Sequence, residues 1–370
     1  MTPVAPFDRR QFLRFGALAG AGAFTLAACG TSRSSGSSGA VLTVTDQRGQ
    51  AIHLSGPATR VVTIPIPTAS MVMAIAGSAA PLVGINSSSE AAIRSGILGD
   101  IFPEAKKLPD NVADSSFAPN VESILALKPD VVIQWASYGA GIITPLQEAG
   151  LNVVGLTYGT QADLVTWISL FGEILGRQAR AMRINENMST ALTEVKRQVP
   201  SGASRPKLLY FQSVLKSMTV AGTETYEDYY FDLVGGENAA GAVKGAPTVD
   251  VEQVIAWDPD IILVGNFDAA TPETITSNKA LAKVSAVREN RVYKVPLGGY
   301  RWDPPSQESP LMWRWLLGLA HPDTDSSGLR AQIVADYQLL YGYTPTEAQI
   351  DRILQMDLNG SAAGYARFKG

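Results

Sequence analysis

A single cysteine, Cys29, in 370 residues excludes an intramolecular disulfide framework. Two histidines are too few for the His- and carboxylate-rich cage that usually encloses a bare zinc or manganese ion. His53 and His321 also stand far apart in the chain, beside Leu54 and Pro322, so both are expected to be surface or packing residues. Charged side chains make up only 17% of the chain, with a formal net charge of -4, which leaves no basic footprint for a nucleic acid. No G-x-S-x-G elbow, phosphate-cradling G-x-x-x-x-G-K or C-x-x-C pair occurs, so no motif joins a nucleophile to a base or cradles a nucleotide. The apolar run at residues 15–28 is too short and too rich in Gly and Ala to be a convincing membrane span. Apolar content, by contrast, reaches 46%, enough for real cores in a chain long enough for two domains.

The short apolar run follows Asp8-Arg9-Arg10-Gln11-Phe12-Leu13, a twin arginine in the position of an export signal. It ends in Leu26-Ala27-Ala28-Cys29, which resembles the lipobox of bacterial lipoproteins, where one thiol suffices for a thioether-linked lipid. Residues 1–28 therefore read as a twin-arginine lipoprotein signal peptide. Residues 29–40 read as the lipidated Cys29 and a flexible tether, TSRSSGSSG. Cleavage removes Arg9, Arg10 and Arg14 against Asp8 alone, so the mature chain is more acidic than its precursor. The expected location is extracytoplasmic, lipid-anchored to the cell membrane.

NVESILALKPDVVIQW at residues 120–135 returns as DVEQVIAWDPDIILVG at residues 250–265 without a gap. Shared positions include Val121/Val251, Glu122/Glu252, Ala126/Ala256, Pro129/Pro259 and Asp130/Asp260. In each copy a polar residue opens a short helix, Pro-Asp ends it, and an apolar run makes a buried strand. Duplication of a lobe explains the match. Around the copies, apolar runs at residues 60–65, 81–85, 130–135 and 152–158 alternate with helical stretches, and so do those at 207–213, 260–266 and 291–296. Such alternation implies mainly parallel sheets covered on both faces.

Residues 163–200 contain proline only at Pro200, and Leu164, Trp167, Ile168, Phe171, Ile174 and Leu175 recur at helical spacing. Only Gly172 and Gly176 weaken this pattern, which predicts one long or slightly broken helix of about seven to ten turns. The expected organisation is an α/β lobe at residues 41–162, an interlobe helix at 163–200 and a second α/β lobe at 201–370.

The chain resembles the substrate-binding proteins of iron-siderophore, haem and cobalamin ABC importers. The resemblance rests on GSAAPLVGI (77–85), FPEAKKLP (102–109), NVESILALKPDVVI (120–133), FDLVGGENAA (231–240), VEQVIAWDPDIILV (251–264) and NRVYKVPLGGYRWDPPSQESPLMWRWLLGLAHPD (290–323). It implies the class III fold, two α/β lobes joined by one rigid helix. It further implies that Glu122 and Glu252, near the starts of the repeated helices, face arginines of a permease dimer served by a separate ATPase. A carboxylate in a first helical turn is favoured by the helix dipole whether or not it docks. The function implied is capture of a ferric siderophore or related iron complex, with haem or cobalamin as the alternative within the family. A surface lipoprotein hydrolase is the alternative of another class. Neither catalytic residues nor a resident cofactor or metal is expected, and the protein is expected to be a monomer.

A cleft between lobes would be lined by strand C-terminal ends and their loops. That rule nominates Thr68, Asn86, Trp135, Tyr138 and Tyr158 on the first lobe. On the second it nominates Gln212, Lys216, Tyr226, Asn266, Tyr300, Arg301 and Trp302. Aromatic faces and a few cations suit a broad, flat, partly anionic chelate. Arg301, in the loop sequence GGYRWDPP, either reaches an anionic ligand or pairs with Asp303. Trp313 and Trp315, in an apolar helical run, are expected in the core.

Overall fold

The computed structural model describes residues 41–202, 204–325 and 327–370. Residues 1–40, on which the expected signal peptide, the lipidated Cys29 and the tether fall, lie outside the described residues. Among the described residues the first element is a hairpin of β1 (Leu42–Thr45) and β2 (Ala51–Leu54). The first lobe is then built on β3 (Val61–Thr63), β4 (Leu82–Ile85), β5 (Val131–Trp135) and β6 (Val153–Leu156). They form one parallel sheet in the order β4-β3-β5-β6. These are the strands expected from the apolar runs.

The second lobe contains β7 (Lys207–Ser213), β8 (Thr219–Val220), β9 (Glu237–Asn238), β10 (Ile261–Val264) and β11 (Val292–Lys294). Its parallel strands run β9-β7-β10-β11, and β8 adds an antiparallel pairing to β7. That order repeats β4-β3-β5-β6 element for element. The duplication seen in sequence is therefore a duplication of topology.

The repeated unit matches in detail. Asn120 caps the helix Val121–Ala126 through Ser123 N, and Asp250 caps Val251–Trp257 through Gln253 N. Both helices are followed by a left-handed residue, Lys128 at φ 46° and Asp258 at φ 43°. The aspartates after the turn then pin the neighbouring strand: Asp130 Oδ2 accepts from Thr59 N and Arg60 N, and Asp260 Oδ2 accepts from Lys207 N. A buried face of each helix, Ile124 in one and Val254 in the other, covers the outer side of its sheet.

Each sheet is apolar on both sides, as buried parallel strands require. Outer residues such as Val62 and Val132, or Leu209 and Ile262, pack in separate outer clusters. Inner residues such as Val61 and Ile133, or Leu208 and Leu263, join one core cluster with members from both lobes. Trp313 and Trp315 are fully buried in that shared core, as expected.

The segment expected as one interlobe helix is instead a helical hairpin. Gln161–Ile174 and Gln178–Gln198 are separate helices, and Gly176 turns the chain between them at φ 63°. They run antiparallel: Asn185 Nδ2 donates to Val165 O (3.2 Å) and Ser169 Oγ (3.0 Å), and a Cβ on Gly172 would collide with Ala181. Gly172 permits the close approach and Gly176 the reversal, so the two residues that weakened the helical pattern mark its break. The 21-residue second helix, about 31 Å long, is the link that leads into the second lobe.

The C-terminal helices tie the lobes a second time. Arg180, on the linking helix, donates from Nε to Ala74 O in the first lobe and from Nη2 to Leu339 O and Leu340 O. Arg352 bridges to Asp100, and Ile97 N donates to Gly298 O (3.0 Å). Gly96 and Gly298 meet so closely that a Cβ on Gly96 would strike the Gly298 carbonyl oxygen.

Candidate functional site

The strand ends of the first lobe carry an aromatic wall. Trp135 ends β5, with Tyr138 beyond it and Tyr158 after β6. Their rings lie 6.1 Å (Trp135–Tyr138) and 5.6 Å (Trp135–Tyr158) apart, and Phe117 stands 5.2 Å from Tyr138. Phe117 adopts a left-handed backbone, φ 66°, and its carbonyl is held by Gln134 Nε2 at 2.9 Å. The Trp135 indole N–H is buried without a partner. Tyr138 is 56% exposed and Trp135 only 3%, so the wall runs from an open rim to a closed floor.

The second lobe supplies Tyr226 and Glu227 from the first turn of the helix Tyr226–Leu233, which Thr225 caps. Tyr230 follows one turn later. Tyr210 comes from β7, and Tyr300, Arg301 and Asp303 from the loop after β11. Burial holds the Tyr158 phenol far above its usual pKa, and the neighbouring Glu227, Tyr138, Tyr300 and Tyr226 add to that shift. Four groups named from sequence, Tyr138, Tyr158, Tyr226 and Tyr300, thus share one electrostatic neighbourhood across the lobes. Burial raises every one of these phenols above its ordinary pKa.

Arg301 is 6% exposed and sits at the lobe boundary. Nε donates to Asn266 O (2.9 Å), and Nη1 donates across the boundary to Ser88 O (3.1 Å). Its guanidinium also lies 4.9 Å from the Phe267 ring centroid. Neither donor goes to Asp303, whose Oδ2 instead accepts from Tyr210 OH at 2.5 Å. A cavity of about 400 Å³ lies beside Arg301, between the helix Ser87–Ser95 and residues 266–271.

The other nominated residues are placed as follows. Thr68 is buried and its hydroxyl donates to Pro65 O. Asn86 caps the helix Ser87–Ser95 by accepting from Ser88 N, the residue whose carbonyl accepts from Arg301. Asn266 donates its amide to Val295 O and Pro296 O. Trp302 is fully buried and its indole N–H donates to Glu308 Oε2, which ties it into the core. Gln212 is half-buried at the end of β7, and Lys216 is exposed. Glu227, Tyr210 and Tyr230 were missed, because nothing in TYEDYY or KLLYFQS shows which side chain turns inward at a lobe boundary.

The histidines lie elsewhere: His53 Nδ1 pairs with Thr43 Oγ1, and His321 Nε2 with Val234 O. Among the described residues no group of three or more His, Cys, Asp or Glu side chains is placed to hold a metal ion.

A second candidate surface lies on the repeated helices. Glu122 and Glu252 are exposed in their first turns. Three residues on, each helix shows an exposed aliphatic side chain, Leu125 (44%) and Ile255 (40%).

Two α/β lobes of matching topology, joined by a long helix and facing each other across an aromatic cleft, define the class III substrate-binding-protein fold. The periplasmic binding protein family matches residues 103–297, more than half of the chain, and the chain belongs to this family. A periplasmic solute binding protein from Veillonella parvula DSM 2008 is 34% identical, covering 87% of this chain and 99% of that one with a TM-score of 0.79. An uncharacterized ABC transporter substrate-binding lipoprotein, YvrC of Bacillus subtilis (strain 168), is 23% identical over 202 residues, 53% of this chain and 63% of its own. A cobalamin-binding protein of Halobacterium salinarum is 25% identical over 257 residues, 68% of this chain and 65% of its own. The chain thus spans less than two thirds of either curated relative.

Proposed function

We propose that the chain is the substrate-binding component of an ABC importer, held outside the cytoplasm by a lipid on Cys29. Between its lobes it captures a ferric siderophore or related iron complex for delivery to a two-subunit permease with a separate ATPase. Binding is its activity, not catalysis. The carrying observation is the convergence of Tyr138 and Tyr158 with Tyr226 and Tyr300 across the lobe boundary, beside the Trp135 and Phe117 rings. Aromatic walls ending in a few polar groups suit a broad chelate that is itself part apolar. The paired exposures of Glu122 and Glu252, one per lobe, support a partner of matching two-fold character.

Capture of cobalamin or haem by the same cleft is the second reading, favoured by the likeness to a cobalamin-binding protein. Mass spectrometry and absorbance after exposure to ferric siderophores, haemin and cobalamin decide between them. The expected result is stoichiometric retention of an iron chelate with partial quenching of Trp135 fluorescence. Retention of haemin or cobalamin alone would reassign the ligand, and retention of none would overturn capture.

A further inference from the structure

A groove beside the helical hairpin is lined by three arginines and by no carboxylate. Arg177, Arg180 and Arg183 stand three residues apart from the start of the linking helix, and with Gly77 and Gly176 they bound a cavity of about 530 Å³. A second cavity, of about 430 Å³, shares Ala76 and Arg177 with it and continues past Pro57, Thr59 and Pro81. Arg177 and Arg183 are exposed and Arg180 is half-buried. Among the described residues none of the three forms an ion pair. Glu173 and Glu186, the carboxylates nearest in sequence, line neither cavity. Burial lowers the pKa of Arg180, and the charges of Arg183 and Arg177 add to that shift with no carboxylate acting against them. In a chain of formal net charge -4, this is a cluster of the minority sign whose like charges repel.

The groove also adjoins the start of the described chain. Leu42 pairs with Leu54 across the β1–β2 hairpin. Three residues past Leu54, Pro57 packs on Gly176, where a Cβ would come within 2.9 Å of its ring. Ala58 N donates to Ile174 O (2.8 Å). These spacings put Val41 within about 20 Å of Pro57. A lipid on Cys29 would keep Val41 within about 40 Å of the bilayer, the most that the intervening chain can span. Thr59 and Pro81 precede β3 and β4, whereas Trp135 ends the parallel neighbour β5. The groove and the aromatic wall thus lie at opposite ends of one sheet.

We infer that the groove of Arg177, Arg180 and Arg183 docks on anionic phospholipid headgroups, setting the first lobe on the bilayer with its aromatic wall clear of the surface. The inference rests on the reading that Cys29 carries a lipid, which brings the bilayer within reach; the groove supplies the orientation. The three arginines are strung along about 9 Å of helix, and two of them are exposed, an arrangement that meets a field of phosphates rather than enclosing one. At physiological ionic strength three arginines are too few to retain a protein by themselves. The groove therefore orients what the lipid holds.

The test uses the mature chain carrying Cys29→Ala, so that no attached lipid contributes. It is floated at low salt with vesicles of phosphatidylcholine alone, or of phosphatidylcholine and phosphatidylglycerol in equal parts. The expected result is partition onto the mixed vesicles and not onto phosphatidylcholine, falling as sodium chloride is raised. At about fivefold per arginine, Arg177→Gln with Arg183→Gln should lower that partition roughly twentyfold. Lys279→Gln with Lys283→Gln, an equal loss of charge at exposed sites in the second lobe, should leave it unchanged. The Arg177 side chain does not cap its helix, so the arginine pair should melt like the wild type. Should it unfold, Arg183→Gln alone decides, with a loss of about fivefold.

No partition onto the mixed vesicles, equal partition onto both kinds, or equal losses from the arginine and lysine pairs would overturn the inference. So would release by sodium phosphate beyond that caused by sodium chloride at the same ionic strength, which would make the groove a site for small phosphates. Fatty-acid labelling of the wild type reads the lipid on Cys29 separately, and its failure would overturn the tethered pose even where the vesicles bind.

Discussion

Arg301 in the second lobe and Ser88 in the first are joined by a guanidinium-to-carbonyl hydrogen bond of 3.1 Å, made by a side chain whose other donor holds Asn266 O. The planar fork serves two carbonyls at fixed angles, which a lysine cannot reproduce. Hydrogen bonds from a charged group contribute about 1.5–3 kcal/mol each. Arg301→Ala should therefore lower unfolding stability by roughly 2–4 kcal/mol, and Arg301→Lys should recover only part of it. Urea unfolding monitored by tryptophan fluorescence checks this; wild-type stability in Arg301→Ala would return the residue to a purely ligand-binding role.

Motion between the lobes should be small. The linking helix, the Ile97–Gly298 contact, the Arg352–Asp100 bridge and the three carbonyls held by Arg180 act at separate points. Small-angle scattering of free and loaded protein should give nearly coincident curves. Arg180→Ala combined with Arg352→Ala should make the free form measurably larger. A wide contraction of the wild type on ligand binding would show that these ties open.

Stability should fall as pH rises from about 5 to about 8. Burial raises Glu308 from 4.5 to about 7 and Glu227 from 4.5 to about 8, and it raises Asp303 and Asp336 in the same direction. For Glu308 the burial outweighs bonds from Tyr341, Trp302, Tyr337 and the Gly299 amide. An acid with a raised folded pKa binds more protons folded than unfolded between the two values. Its contribution is thus present below about 4.5 and lost through about 7 to 8. At about 1.4 kcal/mol per unit, the total loss is on the order of several kcal/mol. Glu227→Gln should flatten the upper part of the curve, as read from urea midpoints across this range.

Uptake and capture should separate at the repeated helices. Glu122→Ala with Glu252→Ala should leave chelate affinity unchanged and impair import more than either change alone, since a desolvated charge pair can cost about 2–5 kcal/mol when one partner is lost. Leu125→Ser with Ile255→Ser, on the same exposed faces, should do the same with weaker dependence on salt. Import into proteoliposomes beside solution affinity makes the comparison. Full import by both double variants would place docking elsewhere.

Cys29→Ala should release the protein from the membrane fraction, and the wild type should incorporate labelled fatty acid. Retention of the unlabelled variant in the membrane would remove the lipobox assignment.

The parallel strands, the duplicated helix-turn-strand and the paired glutamates were legible because each follows from local pattern: apolar runs, a capping Asn or Asp, and Pro-Asp. The helical hairpin was not, since Gly172 and Gly176 read as weak points in a helix until a packed neighbour shows one to be a contact and the other a reversal. The cleft was half legible. Tyr138, Tyr158 and Tyr300 come from strand ends and loops, and Tyr226 from the first turn of a helix. The polar atoms of Trp302, Thr68 and Tyr226 are engaged within the protein by Glu308, Pro65 and Gln161. Which neighbour a side chain finds across a lobe boundary is a property of two distant stretches at once. Glu227, one residue past a nominated tyrosine, was therefore invisible. The strands β8 and β9 are two residues each and carry no periodicity to read.

The second tie between the lobes comes from the last part of the chain, and that has a consequence for the order in which the protein can be made. Lobes fold as units in the order of synthesis, so the first sheet and its aromatic wall can form while the rest is still emerging. Leu339, Leu340 and Arg352 arrive only after both sheets are complete. A chain that stops before the helices Leu329–Tyr341 and Glu347–Ile353 lacks Ile333, Tyr337, Ile350 and Ile353 of the core that both lobes share, so that core closes only when the last part of the chain has emerged.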